Sequence, residues 1–149
     1  LRSRGAWASQ SGTGMRLFGS SRTAAGFNVT AAWMPILAVG PFSVSGSNGA
    51  FISIMGMIGD NIVYRILDNG NPIAFDGVVI GDPADGSMKS TNGDYIASMA
   101  GFYPVSLSDG SHTITLQAKG AGPFAGFGDI NHSPNAVPPG QSMMMVLGF

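Results

Sequence analysis

The sequence contains no cysteine, so disulfide bonds and cysteine-based zinc sites are excluded. Glutamate is also absent: all eight acidic residues are aspartate, and lysine occurs only at Lys89 and Lys119. Glu and Lys usually occupy exposed helix faces, so their near-absence argues against solvent-exposed helices. No apolar run reaches the roughly 18 residues of a transmembrane helix, and we therefore expect no membrane partner.

Turn-forming residues are abundant instead. Glycine and proline make up about a fifth of the 149 residues, against an average of roughly 12%. Aspartate stands beside them in segments such as DNGNP, DPADG and SDGS, where short polar side chains close turns. A chain of this length forms one domain and can bury roughly 70% of the surface exposed by its unfolded form. The composition therefore predicts a single domain of strands and turns.

Charge is unevenly distributed along the chain. The first 22 residues carry four arginines and no acid, whereas the remainder carries three basic residues and eight aspartates. We assign residues 1–25 to an extended N-terminal arm or linker, with a short extended piece at 15–18, and residues 26–149 to the folded domain. The arm is either a flexible terminus or a segment that docks on a partner, since Trp7 is costly to leave in water. The candidate docking residues are Arg2, Arg4, Trp7 and Arg16.

The chain begins at Leu1 and not at methionine. We therefore expect it to be a processed form or part of a longer protein. Its first residues lack the compact apolar core of a signal peptide.

The stretch FYPVSLSDGSHTITLQA at 102–118 carries the clearest strand pattern. Asp109-Gly110 suits the two central positions of a type I′ turn, and apolar residues alternate with polar ones on both sides of it. We therefore predict a β-hairpin in which Leu107 faces His112 on an apolar side. His112 is then expected to be a core or interface histidine bonded to the backbone.

Residues 50–75 predict a three-stranded meander with turns at Gly59-Asp60 and Asn69-Gly70. Pro72 would lie opposite Leu67, which requires a sheet edge or a bulge. Further strands are expected at 27–33, 42–44 and 94–100. The predicted facing pairs of the meander are Met57/Ile62, Met55/Tyr64, Ser53/Ile66, Leu67/Pro72, Ile66/Ile73 and Tyr64/Phe75.

The segment SMMMVLGF at 142–149 is apolar on both faces. Chain ends are usually polar and frayed, so this pattern predicts a central strand covered on both sides. The cover is either the opposite sheet or the same strand of neighbouring copies at an oligomer axis. The candidate interface residues are Met143, Met145, Leu147 and Phe149.

Strand and turn signals recur at intervals of roughly ten residues, and they amount to about eight strands. No helical segment and no internal repeat is recognised. The sequence thus predicts an all-β, antiparallel two-sheet sandwich of jelly-roll type.

Chemistry-bearing residues are few, and we predict no enzyme, no metal and no cofactor. Histidine occurs only at His112 and His132, and every aspartate lies in a turn, so neither a nucleophile–base pair nor a carboxylate pair can be assigned. Oxygen ligands for calcium are offered by Asp68, Asn69 and Asn71 and by Asp82 and Asp85, but turn formation explains both groups. The long segment 119–141 is expected to be a loop, and its candidate ligand-contacting residues are Phe124, Phe127 and His132.

The run PVSLSDGSHTITLQAKGAG at 104–122 resembles a hairpin of trimeric jelly-roll heads in bacteriophage fibres, spikes and capsid-decoration proteins, and more loosely of heads of the complement and tumour-necrosis-factor type. The resemblance implies a non-enzymatic structural protein of the virion that forms homotrimers through its C-terminal strands. It also implies an N-terminal arm docked on other virion proteins, such as the capsid or a fibre shaft, and loops free to contact a host surface glycan. The residues that carry it are Leu107, Gly110, His112, Ile114, Leu116 and Gln117.

Two alternatives remain open. One is a jelly-roll capsid protein whose basic arm faces nucleic acid, although four spaced arginines beside an acidic body favour an acidic protein surface. The other is a carbohydrate-binding module, which needs exposed aromatic side chains. The candidates for that role are Trp33, Tyr95, Tyr103, Phe124 and Phe127.

Overall fold

The computed structural model describes residues 14–23, 27–46, 49–58, 62–75, 78–79, 87–89, 97–120, 128–130 and 142–148. Every regular element in these ranges is a β-strand, and none of the described residues belongs to a helix long and apolar enough to cross a membrane. The strands are β1 (Arg16–Thr23), β2 (Phe27–Val29), β3 (Met34–Val44), β4 (Gly49–Ile58), β5 (Ile62–Asp68), β6 (Asn71–Pro72), β7 (Ala74–Phe75), β8 (Val78–Val79), β9 (Ser87–Lys89), β10 (Ala97–Ser106), β11 (Gly110–Gly120), β12 (Gly128–Ile130) and β13 (Ser142–Gly148).

The long strands form two antiparallel sheets around one core, which confirms the predicted two-sheet sandwich. In sheet A the order is β1-β13-β4, and β10 and β12 also pair with β4, with β2 beside β12. In sheet B the order is β3-β11-β5, and β6 and β9 also pair with β5. The short strands β7 and β8 pair with each other. The jelly-roll type of this sandwich stays a prediction.

The core lies between the sheets and follows the period of two that the sequence displays. In β13, Met144 and Val146 are fully buried, whereas the residues that alternate with them are partly exposed. In β11, Ile114 and Leu116 are buried in the same way, with partly exposed residues between them. Each such aliphatic side chain contributes about 1.5–3 kcal/mol of burial free energy, so these alternating positions provide much of the driving force for folding.

The hairpin predicted at 102–118 is wrong in its pairing. β10 pairs with β4 in sheet A, and β11 pairs with β3 and β5 in sheet B, so the chain changes sheet between Ser106 and Gly110. The predicted apolar side is nevertheless the buried side, because Val105, Leu107 and Ile114 all lie in the core. The two strands face each other through the core instead of lying side by side. The alternating pattern does not distinguish these two arrangements.

The meander predicted at 50–75 is half right. Its first half is wrong because β4 and β5 belong to different sheets, so Met55 and Tyr64 do not pair. Its second half is confirmed at the Asn69-Gly70 turn, where Leu67 pairs with Pro72 on β6 at the edge of sheet B. It is wrong beyond that point, because Phe75 lies on β7, which pairs with β8 and not with Tyr64.

Part of the segment assigned to the arm belongs to the sandwich. β1 forms an edge strand of sheet A along β13, with Arg16 opposite Gly148 at one end. A bulge between Leu17 and Gly19 accompanies the packing of Phe18 against the core, where a Cβ at Gly148 would collide with the Phe18 ring. Residues 16–23 of the predicted arm are thus part of sheet A. Gly, Ser and Arg are weak strand indicators, which is why the pattern was missed.

β3 is longer than the strand predicted at 42–44. The strand continues from Met34 to Val44 through Pro35, Gly40 and Pro41. β3 lies at the edge of sheet B, where a missing N–H donor is tolerated, and its ladder with β11 is interrupted by two register shifts. The strand predicted at 27–33 is shorter in the structure, because within this range only Phe27–Val29 pairs with a neighbouring strand as β2.

Candidate functional site

The outer face of sheet A, which points away from the core, is almost entirely apolar. Strand register places three rows of residues across β1, β13, β4 and β10 on this side. Only Ser20, Ser53 and Arg22 among them are polar. We call this surface the sheet A outer face. Its rows are Leu17–Leu147–Phe51–Pro104, Ser20–Met145–Ser53–Phe102 and, on β1, β13 and β4, Arg22–Met143–Met55.

Several of these side chains are unusually exposed for apolar residues. Leu17, Met55 and Phe102 are 56%, 49% and 58% exposed, and the Phe102 ring stacks on Phe51 with 4.6 Å between ring centres. With strands about 4.8 Å apart and rows about 7 Å apart, the face covers on the order of 400 Å². Contiguous apolar patches of a few hundred Å² commonly mark contact sites. The sheet A outer face therefore has the properties of an interaction surface.

Three of the four interface residues predicted from the sequence lie on this face. Met143, Met145 and Leu147 are partly exposed on β13, which is a central strand as predicted, and Phe149 lies outside the described residues. Sequence reasoning missed Leu17, Phe51, Met55 and Phe102. The sequence of β4 does contain the alternation that indicates an outer face, because Phe51 and Met55 alternate with the buried Ile52 and Ile54. It was not recognised because the incorrect meander paired Met55 with Tyr64.

The other predicted site residues are only partly placed. Arg16 begins β1, and its guanidinium carbon lies 4.6 Å from the centre of the Phe18 ring. Of the aromatic candidates, Tyr103 packs against the core with its hydroxyl 3.4 Å from that of Tyr64, and burial raises its pKa. Those outside the described residues are Arg2, Arg4, Trp7, Tyr95, Phe124, Phe127 and His132.

A polar cleft of about 470 Å³ lies between the Asn69-Gly70 turn and the chain segment that joins β10 to β11. The turn sequences Asn69-Gly70 and Asp109-Gly110 meet at this cleft. Its lining residues are Asp68, Asn69, Asn71, Pro72, Ile73, Ser106, Leu107, Ser108, Asp109, Gly110, Ser111 and His112.

His112 holds the two sides of this cleft together. It is 3% exposed; Nδ1 donates to Asp68 Oδ2 at 2.8 Å, and Nε2 donates to the Ser108 carbonyl oxygen at 2.8 Å. Both partners are acceptors, so this geometry favours the doubly protonated imidazolium form of the ring. Burial lowers the pKa of His112, but the Ser108 carbonyl and the Asp68 carboxylate outweigh it, and the pKa is raised above 6.5. The expected backbone-bonded core histidine is confirmed.

The geometry of His112 does not suit base catalysis. A general base needs a ring nitrogen with a free lone pair close to a nucleophile. Here Nε2 is occupied by a backbone carbonyl and not by a serine hydroxyl. The pair is thus a structural link between the end of β5 and the start of β11.

Two of the calcium candidates, Asn69 and Asn71, use their side chains in the turn. Asn69 Nδ2 donates to the Ser111 carbonyl at 2.9 Å, and Asn69 Oδ1 accepts from Thr113 N at 3.0 Å. Asn71 Nδ2 donates to the Asn69 carbonyl at 3.4 Å. In the described ranges, no cluster of three metal-binding side chains occurs, while Asp82 and Asp85 lie outside these ranges. Turn formation thus explains Asn69 and Asn71, whereas Asp68 Oδ2 is bonded to His112 and the buried Asp68 Oδ1 has no hydrogen-bond partner among the described residues.

The outer face of sheet B differs from that of sheet A in being polar and basic. The Arg65 guanidinium carbon lies 4.2 Å from the centre of the Trp33 ring, and Lys119 Nζ lies 4.5 Å from it. Arg65 Nε donates to Gln117 Oε1 at 2.9 Å. We call Trp33, Arg65, Gln117 and Lys119 the Trp33 cluster. The sequence indicated Trp33 as an exposed aromatic residue but did not bring the two cations to it.

No protein-family model matches this chain, and no curated protein matches it in a sequence search. The two outer faces of the sandwich are therefore the main structural guides to function.

Proposed function

We propose that this chain is a non-enzymatic structural subunit that assembles with copies of itself through the sheet A outer face. The assembly proposed is a homotrimer that forms part of a virion, as a fibre, spike or capsid-decoration subunit. The observation that carries the self-association is the apolar grid across β1, β13, β4 and β10. The support for the virion role and for three copies is the resemblance of residues 104–122 to trimeric virion heads.

A second copy is the partner whose chemistry best fits this face. Arg22 is the only charged residue in the three rows, so the face offers no charge pattern for a partner of opposite sign to match. Sheet faces of this composition pack against one another at about 10 Å, as the two sheets of a sandwich do. Flexible side chains such as Met55, Met143 and Met145 can adapt to an identical neighbour. Closed cyclic symmetry is the usual form of homo-oligomers, and around a three-fold axis the same surface of every copy can be covered by its neighbours.

The order of the longer strands supports the jelly-roll part of the proposal. Four neighbours in sheet A run β1-β13-β4-β10, and four in sheet B run β3-β11-β5-β9. Successive strands alternate between the sheets except at β5 and β9. A jelly roll distributes its eight strands over two sheets in this way.

The state of His112 supports the non-enzymatic part. Its two nitrogens are engaged by Asp68 and by the Ser108 carbonyl, so the one described histidine is committed to holding the fold. A structural subunit needs no titrating base.

The self-association is tested with charges at exposed positions of the sheet A outer face. Leu17 and Met55 are about half exposed in the single chain, so replacing both with Asp should leave the fold intact. In the assembly the same positions would be covered, and burying unpaired carboxylates costs several kcal/mol. We expect the wild-type chain to sediment as a trimer and the Leu17→Asp/Met55→Asp variant to sediment as a monomer.

A matched control places the same charge on the opposite side of the sandwich. Ala38 is exposed on β3, and Ala38→Asp should leave the trimer unchanged. Circular dichroism confirms that all variants are folded. A wild-type chain that is monomeric at every concentration would refute the proposal, and so would a double variant that stays trimeric.

A further inference from the structure

His112 of β11 is bonded to two other parts of the chain at one end of the sandwich. Its ring nitrogens lie 2.8 Å from the Asp68 carboxylate, at the end of β5, and 2.8 Å from the Ser108 carbonyl, in the segment between β10 and β11. The Phe42 ring of β3 lies beside it, with 5.9 Å between ring centres, and His112 is 3% exposed. A change in the protons of this ring therefore acts on its two oxygen partners.

A neutral imidazole cannot keep both hydrogen bonds. The imidazolium has an N–H on each ring nitrogen, whereas the neutral ring has one N–H and one lone pair. Loss of a proton therefore points a lone pair at an oxygen atom that is itself only an acceptor, at a distance of 2.8 Å. Either Asp68 or Ser108 must then move away from the ring.

Asp68 is the partner that retains the remaining N–H. Its Oδ1 is buried and has no hydrogen-bond partner in the described part of the chain, so the bond from His112 to Oδ2 is what compensates the buried charge. A hydrogen bond to an ionised group is also roughly twice as strong as one between neutral groups. The backbone of Asp68 is fixed as well, because it pairs with Ile114 and with Asn71 in sheet B.

Ser108 is the partner that is able to move. It is exposed, lies outside the strands, and lines the polar cleft of about 470 Å³, where its carbonyl can be hydrated. Its two neighbours are anchored: Leu107 is buried in the core, and Asp109 Oδ1 accepts a hydrogen bond from Gly46 N at 2.8 Å. The displacement is thus limited to the peptide group between Ser108 and Asp109.

We infer that His112 is a proton-controlled latch on one wall of the polar cleft: the protonated ring holds the Ser108 carbonyl, and loss of the proton releases this carbonyl into the cleft. Burial lowers the pKa of His112, but the Ser108 carbonyl and the Asp68 carboxylate raise it above 6.5 overall. The carbonyl is therefore held in acidic solution and released as the pH rises through the pKa of the folded chain.

Few other charges face this ring. In the described part of the chain, β3 contributes only the uncharged Phe42, and the segment before β11 contributes Asp109, which lines the same cleft. Arg16 of β1 is two rings away, because it contacts Phe18, which in turn stacks on Phe42. None of these residues belongs to the sheet A outer face, so the latch does not depend on self-association.

The test is a pH titration of the full chain followed by NMR. The ring ¹⁵N shifts of His112 should show the imidazolium at about pH 5.5 and, at higher pH, a neutral ring that keeps its N–H on Nδ1. The Ser108 carbonyl carbon and the Asp109 amide should shift with the same midpoint, above pH 6.5. The Leu107 methyl groups and the Gly46 amide should not shift there, because both anchors stay in place.

Substitutions of the two carboxylates form a matched pair. Asp68→Asn should lower the His112 midpoint by about one pH unit or more, because it removes the charge that favours the imidazolium. Asp109→Asn removes a charge from the same cleft but keeps the oxygen that bonds Gly46 N, and the midpoint should move by less than about 0.3 pH unit. In His112→Gln the response of Ser108 and Asp109 to pH should be lost.

Three results in the unmodified chain would each overturn the inference. One is a neutral His112 ring whose proton lies on Nε2, since Asp68 and not Ser108 would then be released. Another is a Ser108 carbonyl that does not respond at the His112 midpoint. The third is a change of resonances throughout the chain at that midpoint, which would indicate unfolding and not a local release.

Discussion

The pairs Asn69-Gly70 and Asp109-Gly110 are nearly the same turn sequence, yet they lead the chain in different directions. The first joins β5 to β6 within one sheet, in the register that the sequence predicts. The second ends a segment that carries the chain from sheet A to sheet B. The backbone records the difference: φ is positive at both Asn69 (48°) and Gly70 (85°), as a type I′ turn requires, but in the second pair only at Gly110 (136°).

The flanking strands explain why the same signal has two outcomes. β6 is two residues long and exposed, so it has no apolar face to cover and simply turns back along β5. β10 and β11 are 10 and 11 residues long, and each has an apolar side. Because β10 and β11 face each other through the core, the apolar sides of both strands are buried. Their backbone hydrogen bonds are made within the two sheets, by β10 with β4 and by β11 with β3 and β5. Turn residues permit a reversal, and the strands on either side decide which reversal forms.

The two turns also depend on each other. Asn69 follows the last residue of β5, and its side-chain amide donates to the Ser111 carbonyl and accepts from Thr113 N. His112 links the Asp68 carboxylate to the Ser108 carbonyl. The hairpin therefore supports the segment that changes sheet. Substitutions at four positions test this comparison, all measured by urea unfolding at one fixed protein concentration.

The largest effect is expected for Leu107→Ala. Leu107 is buried inside the segment that changes sheet, and its truncation leaves a cavity in the core. We expect a loss of about 3 kcal/mol in the free energy of unfolding. Ser106→Ala, at the exposed neighbouring position, should stay within about 0.5 kcal/mol. A loss below about 1 kcal/mol at Leu107 would mean that the segment is not anchored by its burial.

His112→Gln comes second, with an expected loss of about 2 kcal/mol at low pH, because it leaves the Asp68 carboxylate without its charged partner. The pKa of His112 is raised in the folded state, so its contribution is complete below the unfolded value of about 6.5 and is lost as pH rises through the folded value. The stability gap between wild type and variant should therefore be larger at about pH 5.5 than at about pH 9. A gap that widens with pH would contradict the imidazolium.

The smallest effects separate the two turn types directly. Asn69→Ala should lose about 1.5 kcal/mol, because it removes two side-chain hydrogen bonds and strains a positive φ. Asn69→Gly relieves the strain alone and should lose less. Asp109→Ala should lose under about 1 kcal/mol, since only an exposed bond from Gly46 N to Asp109 Oδ1 disappears. Equal losses at Asn69 and Asp109 would mean that both pairs form the same kind of turn.

Much of the fold was accessible from the sequence. The all-β class, the faces of β10, β11 and β13, the Asn69-Gly70 register and the central position of β13 follow from alternation and turn chemistry, which are local properties. Strand partners across 50–66 and 102–118 were not accessible, because a hairpin and a change of sheet bury the same side chains. β1 was missed since its interior is mostly Gly, Ser and Arg.

The candidate sites show the same limit. Met143, Met145 and Leu147 were identified from their own strand, whereas Leu17 and Phe102 join them only through the register of sheet A. The cations around Trp33 come from β5 and β11, and no spacing in the sequence connects them. Sites assembled from several strands depend on partners that local patterns leave undetermined.

The position of β13 has a consequence for how the protein reaches its native state. Residues 142–148 separate β1 from β4 in sheet A, although both precede them by more than eighty positions in the chain. Closing such long loops is entropically costly, and chains dominated by distant pairings fold in milliseconds to seconds, not microseconds. Until β13 arrives, one edge of β4 has no neighbour and β1 has no sheet to join. A newly synthesised chain thus passes through a period in which chaperone binding or aggregation competes with completion of the sandwich.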